Sequence, residues 1–247
     1  MEEIRQNRSL TTRTSLSVCL SAHALGCLIW DIIGGKEAQP HSRPYMAVVG
    51  TENNINCGGF LKGEMLLGSP NLVILGAHNL SQEERTQQRI TVQRKIPHEN
   101  FNPETLENDI MLLKLKSRAK LTSAVKPIPL PPANFLLQPE AECSVAGWGK
   151  TGVHRLRFPD KLQEVALKMA DKKQCERLCE SFNWTSMLCM GNSKTKQSSF
   201  KGDSGGPLVC NGVAQGIMSH GTNSGLPPAA YRRISAFIPW LRKMGRE

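Results

Sequence analysis

Residues 199–218 read SFKGDSGGPLVCNGVAQGIM, and two features of that stretch set the expectation for the whole chain. Asn211-Gly212 stands between two apolar runs, PLVC and VAQGIM. A type I′ turn needs positive φ at both central residues, which Asn and Gly adopt at least cost, so the pair predicts a tight β-hairpin. Upstream, Gly202, Gly205 and Gly206 surround Ser204. Glycines there permit a sharp turn whose backbone N–H groups can point at a ligand, with the serine oxygen presented beside an oxyanion hole. A glycine-rich serine turn taken alone is more often structural, so its reading rests on its surroundings.

Outward from this stretch the chain is mostly short strands. YMAVV (45–49), LVIL (72–75), IMLLKL (110–115) and CSVAG (143–147) are apolar or β-rich runs, and LQEVALKM places Val165, Leu167 and Met169 at a period of two. A proline-rich stretch, KPIPLPPANF (126–135), divides the chain near its middle and reads as a linker between halves. Only the end has a helical pattern: SAFIPWLRKMGRE sets Phe237, Trp240 and Leu241 on one face, with Ser235 as candidate cap. Many short strands and one late helix predict an all-β protein of barrels or sandwiches.

The 247 residues suit one large domain or two small ones, without internal repeats. No run reaches the roughly 18 apolar residues of a membrane span. The formal net charge of +10 favours acidic partners such as sulfated glycans, lipid surfaces or nucleic acid, against the plainer alternative of a solvated basic surface. Nucleic acid is not expected, because no binding motif is present and aromatics are only 5%. Eight cysteines raise the choice between disulfides, metal and spare thiols; Cys175-x3-Cys179 has no second paired half, so neither metal nor cofactor is predicted. Sequons at Asn7, Asn79 and Asn183 fit secretion. At the N-terminus, Arg5, Arg8 and Arg13 precede SLSVCLSAHALGCLIW, where Ala22 and Ala24 form a small-x-small pair. The stretch carries Ser and His behind a long polar leader, which makes it a poor secretory signal.

IIGG (32–35), CGGFL (57–61), NDIMLLKL (108–115), VAGWGK (145–150), GDSGGP (202–207) and GIMSHG (216–221) occur in the order of the trypsin/chymotrypsin family of serine proteases. The resemblance runs from Ile32 nearly to the C-terminus. Within that family, HSRPYMA, LGAHN, KLQEV and SFKGDSGGPLVCNGVAQGI resemble the granule proteases of immune cells, the cathepsin G, chymase and granzyme group. The resemblance implies two packed antiparallel β-barrels with a C-terminal α-helix. The protease domain would span 32–245, with a first barrel over about 32–120, a second over about 121–233 and a helix over 235–245. Residues 1–31 would be an atypical signal or propeptide-like segment.

Carried over residue by residue, Ser204 is the nucleophile and Asp109 the carboxylate that orients its histidine, while the N–H groups of Gly202 and Ser204 form the oxyanion hole. Asp203 would pair with the new α-amino group of Ile32 after propeptide removal, a proteolytic switch. Ser198 aligns with the base of the primary pocket, Gly221 and Ala229 with its walls, and Ser219 and His220 with the cleft lining. None is charged, so the pocket would suit Phe, Tyr, Leu or Met. Cys143–Cys210 and Cys175–Cys189 are the implied disulfides. Phe200 stands where many members carry a cysteine, a bridge the granule subgroup lacks. Protein substrates, a secreted or granule location and a monomer follow, and the basic surface would meet sulfated proteoglycans.

One segment departs from the pattern. Family members place the general base in a T-A-A-H-C segment soon after CGGFL, but CGGFLKGEMLLGSPNLVILGAHN (57–79) runs directly across Leu67–Gly68, and about seven residues are absent. Cys57 thereby loses its bridging partner, leaving Cys19, Cys27, Cys57 and Cys179 over. Among the other histidines, His78 aligns with a strand away from the cleft, His41 and His98 with surface stretches, and His154 with a loop. His220 is nearest Ser204 but reads as an aromatic substitute in the cleft wall. Such a chain is expected to be inactive or severely impaired, since losing the histidine costs about 10⁶ in kcat in subtilisin. A shortened strand would also strain the first barrel. The alternatives are a pseudoprotease that binds glycans, membranes or microbes, and a non-secreted splice form without stable function. A free Cys57 weighs against a secreted binding protein.

Overall fold

A computed structural model describes residues 17–20, 32–51, 54–63, 71–139, 141–149, 159–178, 182–191, 197–199, 203–222 and 226–245. The strands in chain order are β1 (Ser17–Leu20), β2 (Ile32–Ile33), β3 (Lys36–Glu37), β4 (Met46–Thr51), β5 (Asn54–Gly63), β6 (Leu72–Leu75), β7 (Gln88–Pro97) and β8 (Met111–Leu115). Then come β9 (Cys143–Gly147), β10 (Gln163–Leu167), helix α1 (Lys172–Leu178), β11 (Met187–Met190), β12 (Ser198–Ser199), β13 (Pro207–Cys210), β14 (Val213–Gly221), β15 (Ala229–Arg233) and helix α2 (Ile234–Met244). The chain is mostly β, as expected. One sheet is a closed barrel in the order β1-β5-β4-β6-β7-β8, and the other is a curled antiparallel sheet in the order β11-β15-β14-β13-β9-β10-β3.

The predicted runs become strands because their alternate residues have somewhere to go. In β4, Ala47 and Val49 enter the core shared with Phe60, Leu75 and Leu113, while Met46 and Val48 pack on Ile74, Trp148 and Leu162. Burial on both faces explains why β4 reads as a continuous apolar run without polar alternation. The second core, around Val145, Val165, Leu167, Leu208 and Tyr231, lies within the other sheet. The proline-rich stretch has no regular structure, yet it is fastened to both sheets. Ile128 N–H donates to the Leu61 carbonyl at 3.2 Å, and Ala214 N–H to the Pro129 carbonyl at 3.0 Å.

Two local expectations change. Helix α2 starts at Ile234, and Ser235 is no cap: Arg233 holds that position without a side-chain capping bond, its guanidinium donating instead to the Trp184 and Met187 carbonyls, and Ser235 Oγ donates to the Phe135 carbonyl at 2.8 Å. The apolar face of α2 is as read, with Phe237, Trp240 and Leu241 buried, each such side chain contributing about 1.5–3 kcal/mol. Helix α1 has no counterpart in the sequence reading. It is stapled to β11 by Cys175–Cys189, while Cys143–Cys210 joins β9 to β13, so both implied disulfides are present.

The larger departure is β1. Residues 17–20 lie in the segment read as signal or propeptide-like, yet they form a barrel strand. Val18 and Cys19 pair with Leu61 and Phe60 of β5 on one side. Cys19 and Leu20 pair with Leu112 and Met111 of β8 on the other. Cys57 is also corrected: it is disulfide-bonded, not left over. No helix among the described residues is long and apolar enough to cross a membrane.

The 207–221 hairpin forms as predicted, with Asn211 at φ 50° and Gly212 at φ 75°. A Cβ on Gly212 would meet nothing within 4 Å, so a side chain there costs backbone strain alone. Gly212→Val is expected to lower unfolding free energy by about 1–3 kcal/mol, read as a shift in the urea midpoint with unchanged m-value.

Candidate active site

Ser204 sits half-buried in the turn that enters β13. Gly205, at φ 83°, lets the chain reverse. Gly206 N–H donates to the Asp203 carbonyl at 2.7 Å. The turn is then bound to β14 in both directions: Gly205 N–H donates to the Met218 carbonyl, and Met218 N–H to the Gly206 carbonyl, each at 2.9 Å. The first barrel presses on the same turn. A Cβ on Gly58 of β5 would stand 3.5 Å from the Gly206 backbone and 3.6 Å from the Asp203 carbonyl. Ser204 therefore lies where the two sheets meet.

Ser219, one residue beyond Met218, carries the connection to Asp109. Its Oγ donates to Asp109 Oδ2 at 2.5 Å. Asp109 is fully buried just ahead of β8, and Asn108 turns the chain into it at φ 52°. A buried carboxylate needs compensating partners. Besides the Ser219 hydroxyl, the guanidinium of Arg232, itself only 2% exposed, donates from Nη2 to Ser219 Oγ at 3.5 Å. His220 Nδ1 lies 3.3 Å from the same oxygen.

Asp203 points away from Ser204 into the second sheet. It is buried, and its Oδ1 accepts from Gly149 N–H at 3.2 Å. Gly147 lies directly against it: a Cβ there would overlap Asp203 Oδ1. Ile32 is buried as well and pairs with Ser199 of β12. Ser199 Oγ and the Tyr231 phenol are 2.5 Å apart. Burial pushes that phenol well above its ordinary range, the Ser199 bond pulls it back, and the Asp203 charge adds to the rise.

At the pocket positions, Ser198 is buried with its Oγ donating to the Ser199 carbonyl at 2.9 Å. Gly221 pairs with Ala229 across β14 and β15. A Cβ on Gly221 would lie 3.6 Å from Ala229 Cβ and 3.9 Å from Met218 Cε, in ordinary contact with an apolar wall. Ser204, Ser219, His220, Gly221 and Asp109 are thus gathered along one strand, β14. Gly202, Phe200, Cys179 and His154 lie outside the described residues.

Three other histidines are engaged elsewhere. His78 is buried with Nε2 3.1 Å from Glu37, and the His41 ring stands 6.3 Å from that of His78. His98, partly exposed on a surface stretch, packs on Trp240 at 5.0 Å and Phe237 at 5.7 Å of α2. Sequence reasoning missed Arg232, Gly147 and the role of Ser219 as donor to Asp109. The signal for Arg232 was an arginine inside the AAYRR strand, whose positions are all buried.

The family model described as Trypsin matches residues 32–241. The chain belongs to the trypsin family of serine proteases. Cathepsin G of Mus musculus is 47% identical over 225 residues, covering 87% of this chain and 85% of that protein. Granzyme-like protein 1 of Rattus norvegicus is 48% identical, covering 86% and 90%. The solved structure of GrC superposes with a TM-score of 0.77 at 42% identity, covering 87% of this chain and 100% of that one. The protein is a serine protease of the granzyme and cathepsin G type, with protein substrates.

In this trypsin-family member, Gly147→Ala is expected to force the Asp203 carboxylate out of its seat. The measurable result is a loss of fluorophosphonate labelling at Ser204 together with a lowered melting temperature. Gly212→Ala, where no neighbour stands, should leave labelling intact.

Proposed function

We propose that the protein is an endopeptidase that cleaves after Phe, Tyr, Leu or Met. The observation that supports this reading is the chemistry at the pocket positions: Ser198, Gly221 and Ala229 bring no charge, and Gly221 stands against the apolar Ala229 and Met218. A Lys or Arg side chain buried there would find no counter-ion. Ser204 Oγ attacks the scissile carbonyl, and the N–H groups of Gly202 and Ser204 hold the resulting oxyanion. Cleavage after Asp31 frees the α-amino group of Ile32 to pair with Asp203. The burial of both residues supports this pairing, because each side chain lies out of water.

The general base is the open element. Residues 32–247 carry no histidine soon after CGGFL, so that portion alone is severely impaired as a catalyst. A pseudoprotease reading has one observation in its favour. Arg94 and Lys114 stand opposite each other across β7 and β8, with Arg89, Lys116, Arg118 and Lys120 exposed nearby, a basic face suited to sulfated proteoglycans of a secretory granule.

Two measurements test the reading. The full chain, cleaved after Asp31, is expected to hydrolyse Phe and Leu peptides at least about 10²-fold faster than Lys peptides. A preference for Lys or Arg would overturn the assignment. Gly221→Val is expected to lower kcat/KM on the Phe peptide by about 10–200-fold, with fluorophosphonate labelling of Ser204 retained.

A further inference from the structure

β15 carries two adjacent arginines, Arg232 and Arg233, in the run AAYRR, and the sheet buries both. Successive side chains of a strand point to opposite faces. Arg233 Nη2 donates to main-chain carbonyls, Trp184 at 3.0 Å and Met187 at 3.1 Å. Arg232 reaches instead toward β14, where its Nη2 donates to Ser219 Oγ at 3.5 Å. The same hydroxyl donates to Asp109 Oδ2 at 2.5 Å.

The order of donors follows from the groups themselves. A serine hydroxyl has one proton and two lone pairs, and a guanidinium only donates. The Ser219 proton goes to the carboxylate, so its oxygen is left to accept from Arg232. Both ends of this chain are out of water: Arg232 is 2% exposed and Asp109 0%. The two contacts set Nη2 within the roughly 6 Å at which opposite charges act strongly on each other. Burying either charge alone is costly, and burying the two together offsets much of that cost. His220 Nδ1 also stands near the hydroxyl, at 3.3 Å. His220 is only half-buried, and its charge comes and goes with pH, whereas a guanidinium keeps its proton.

We propose that Arg232 is a positioning residue: its guanidinium is the buried counter-charge of Asp109 and, through Ser219, holds that carboxylate in place ahead of β8. Asp109 is the carboxylate that would orient an imidazole beside Ser204. A residue that fixes its charge and direction acts on the reaction without touching substrate. The inference goes beyond the peptidase reading, because it concerns the charge balance of the site whatever the site turns over.

The test is a double-substitution cycle in urea unfolding of the full chain: parent, Arg232→Met, Asp109→Asn and the two together. Methionine keeps much of the apolar stem and removes the charge. Arg232→Met alone is expected to raise the unfolding equilibrium constant by about 10²-fold or more, because it strands a buried carboxylate. In the Asp109→Asn background the same change is expected to cost less than about 10-fold, since no charge is left to strand. Arg232→Lys keeps the charge and is expected to restore most of the loss. Equal costs of Arg232→Met in both backgrounds, or an Arg232→Lys variant as unstable as Arg232→Met, overturn the proposal and make Arg232 a packing residue. Should Arg232→Met fail to fold, the double variant decides. A folded double variant with the m-value of the parent supports the proposal, and an unfolded one beside a folded Asp109→Asn overturns it. No activity enters these measurements, so their failure leaves the peptidase reading standing.

Discussion

A barrel strand cannot leave a row of buried N–H and C=O groups without partners, and the outer edge of β5 is where this chain must meet that demand. β5 is ten residues long and runs past the serine turn, with Gly58 against Gly206. An open β5 edge would expose the barrel core on the side that faces the Ser204 turn. β1 resolves the demand with four residues, pairing with β5 and β8 at once. The placement of Ser204 against Gly58, and of Asp109 at the head of β8, depends on that closure.

The second sheet contributes a rigid spine. Two backbone bonds tie the serine turn to Met218, and the next residue, Ser219, donates to Asp109 across the sheet boundary. The Ser204 turn and the Asp109 carboxylate are thereby registered through one strand, so a small shift in β14 moves both. Arg232 extends the arrangement, its buried guanidinium reaching the hydroxyl that serves Asp109. On the opposite side of the turn, the missing side chain of Gly147 makes the seat for Asp203. Glycine there is a matter of space, whereas Gly212 answers to backbone angle alone.

Much of this was legible in the residues. LVIL became β6 with its ends as read, CSVAG became β9, and Asn211-Gly212 formed the turn its composition demands. Such features depend on local chemistry, which a sequence records directly. The fold class and family were also readable, because motifs such as GDSGGP keep their order along the chain. β1 was hidden for a physical reason: SVCL carries no alternation strong enough to mark a strand, and its order comes from two edges distant in sequence. The same holds for the state of Cys57, for Arg232 beneath Ser219, and for α1, which a disulfide secures. Ser235 misled because a cap is decided by where the chain turns, and its hydroxyl found Phe135 instead.

The central claim is that β1, Ser17–Leu20, is a structural member of the barrel through its pairing with β5 and β8. Amide hydrogen exchange on the folded full chain, before and after cleavage at Asp31–Ile32, measures this at the backbone. The account predicts that Val18, Cys19 and Leu20 exchange as slowly as their neighbours in β5 and β8, and stay slow after cleavage. Exchange of those amides at the rate of a free peptide would contradict it.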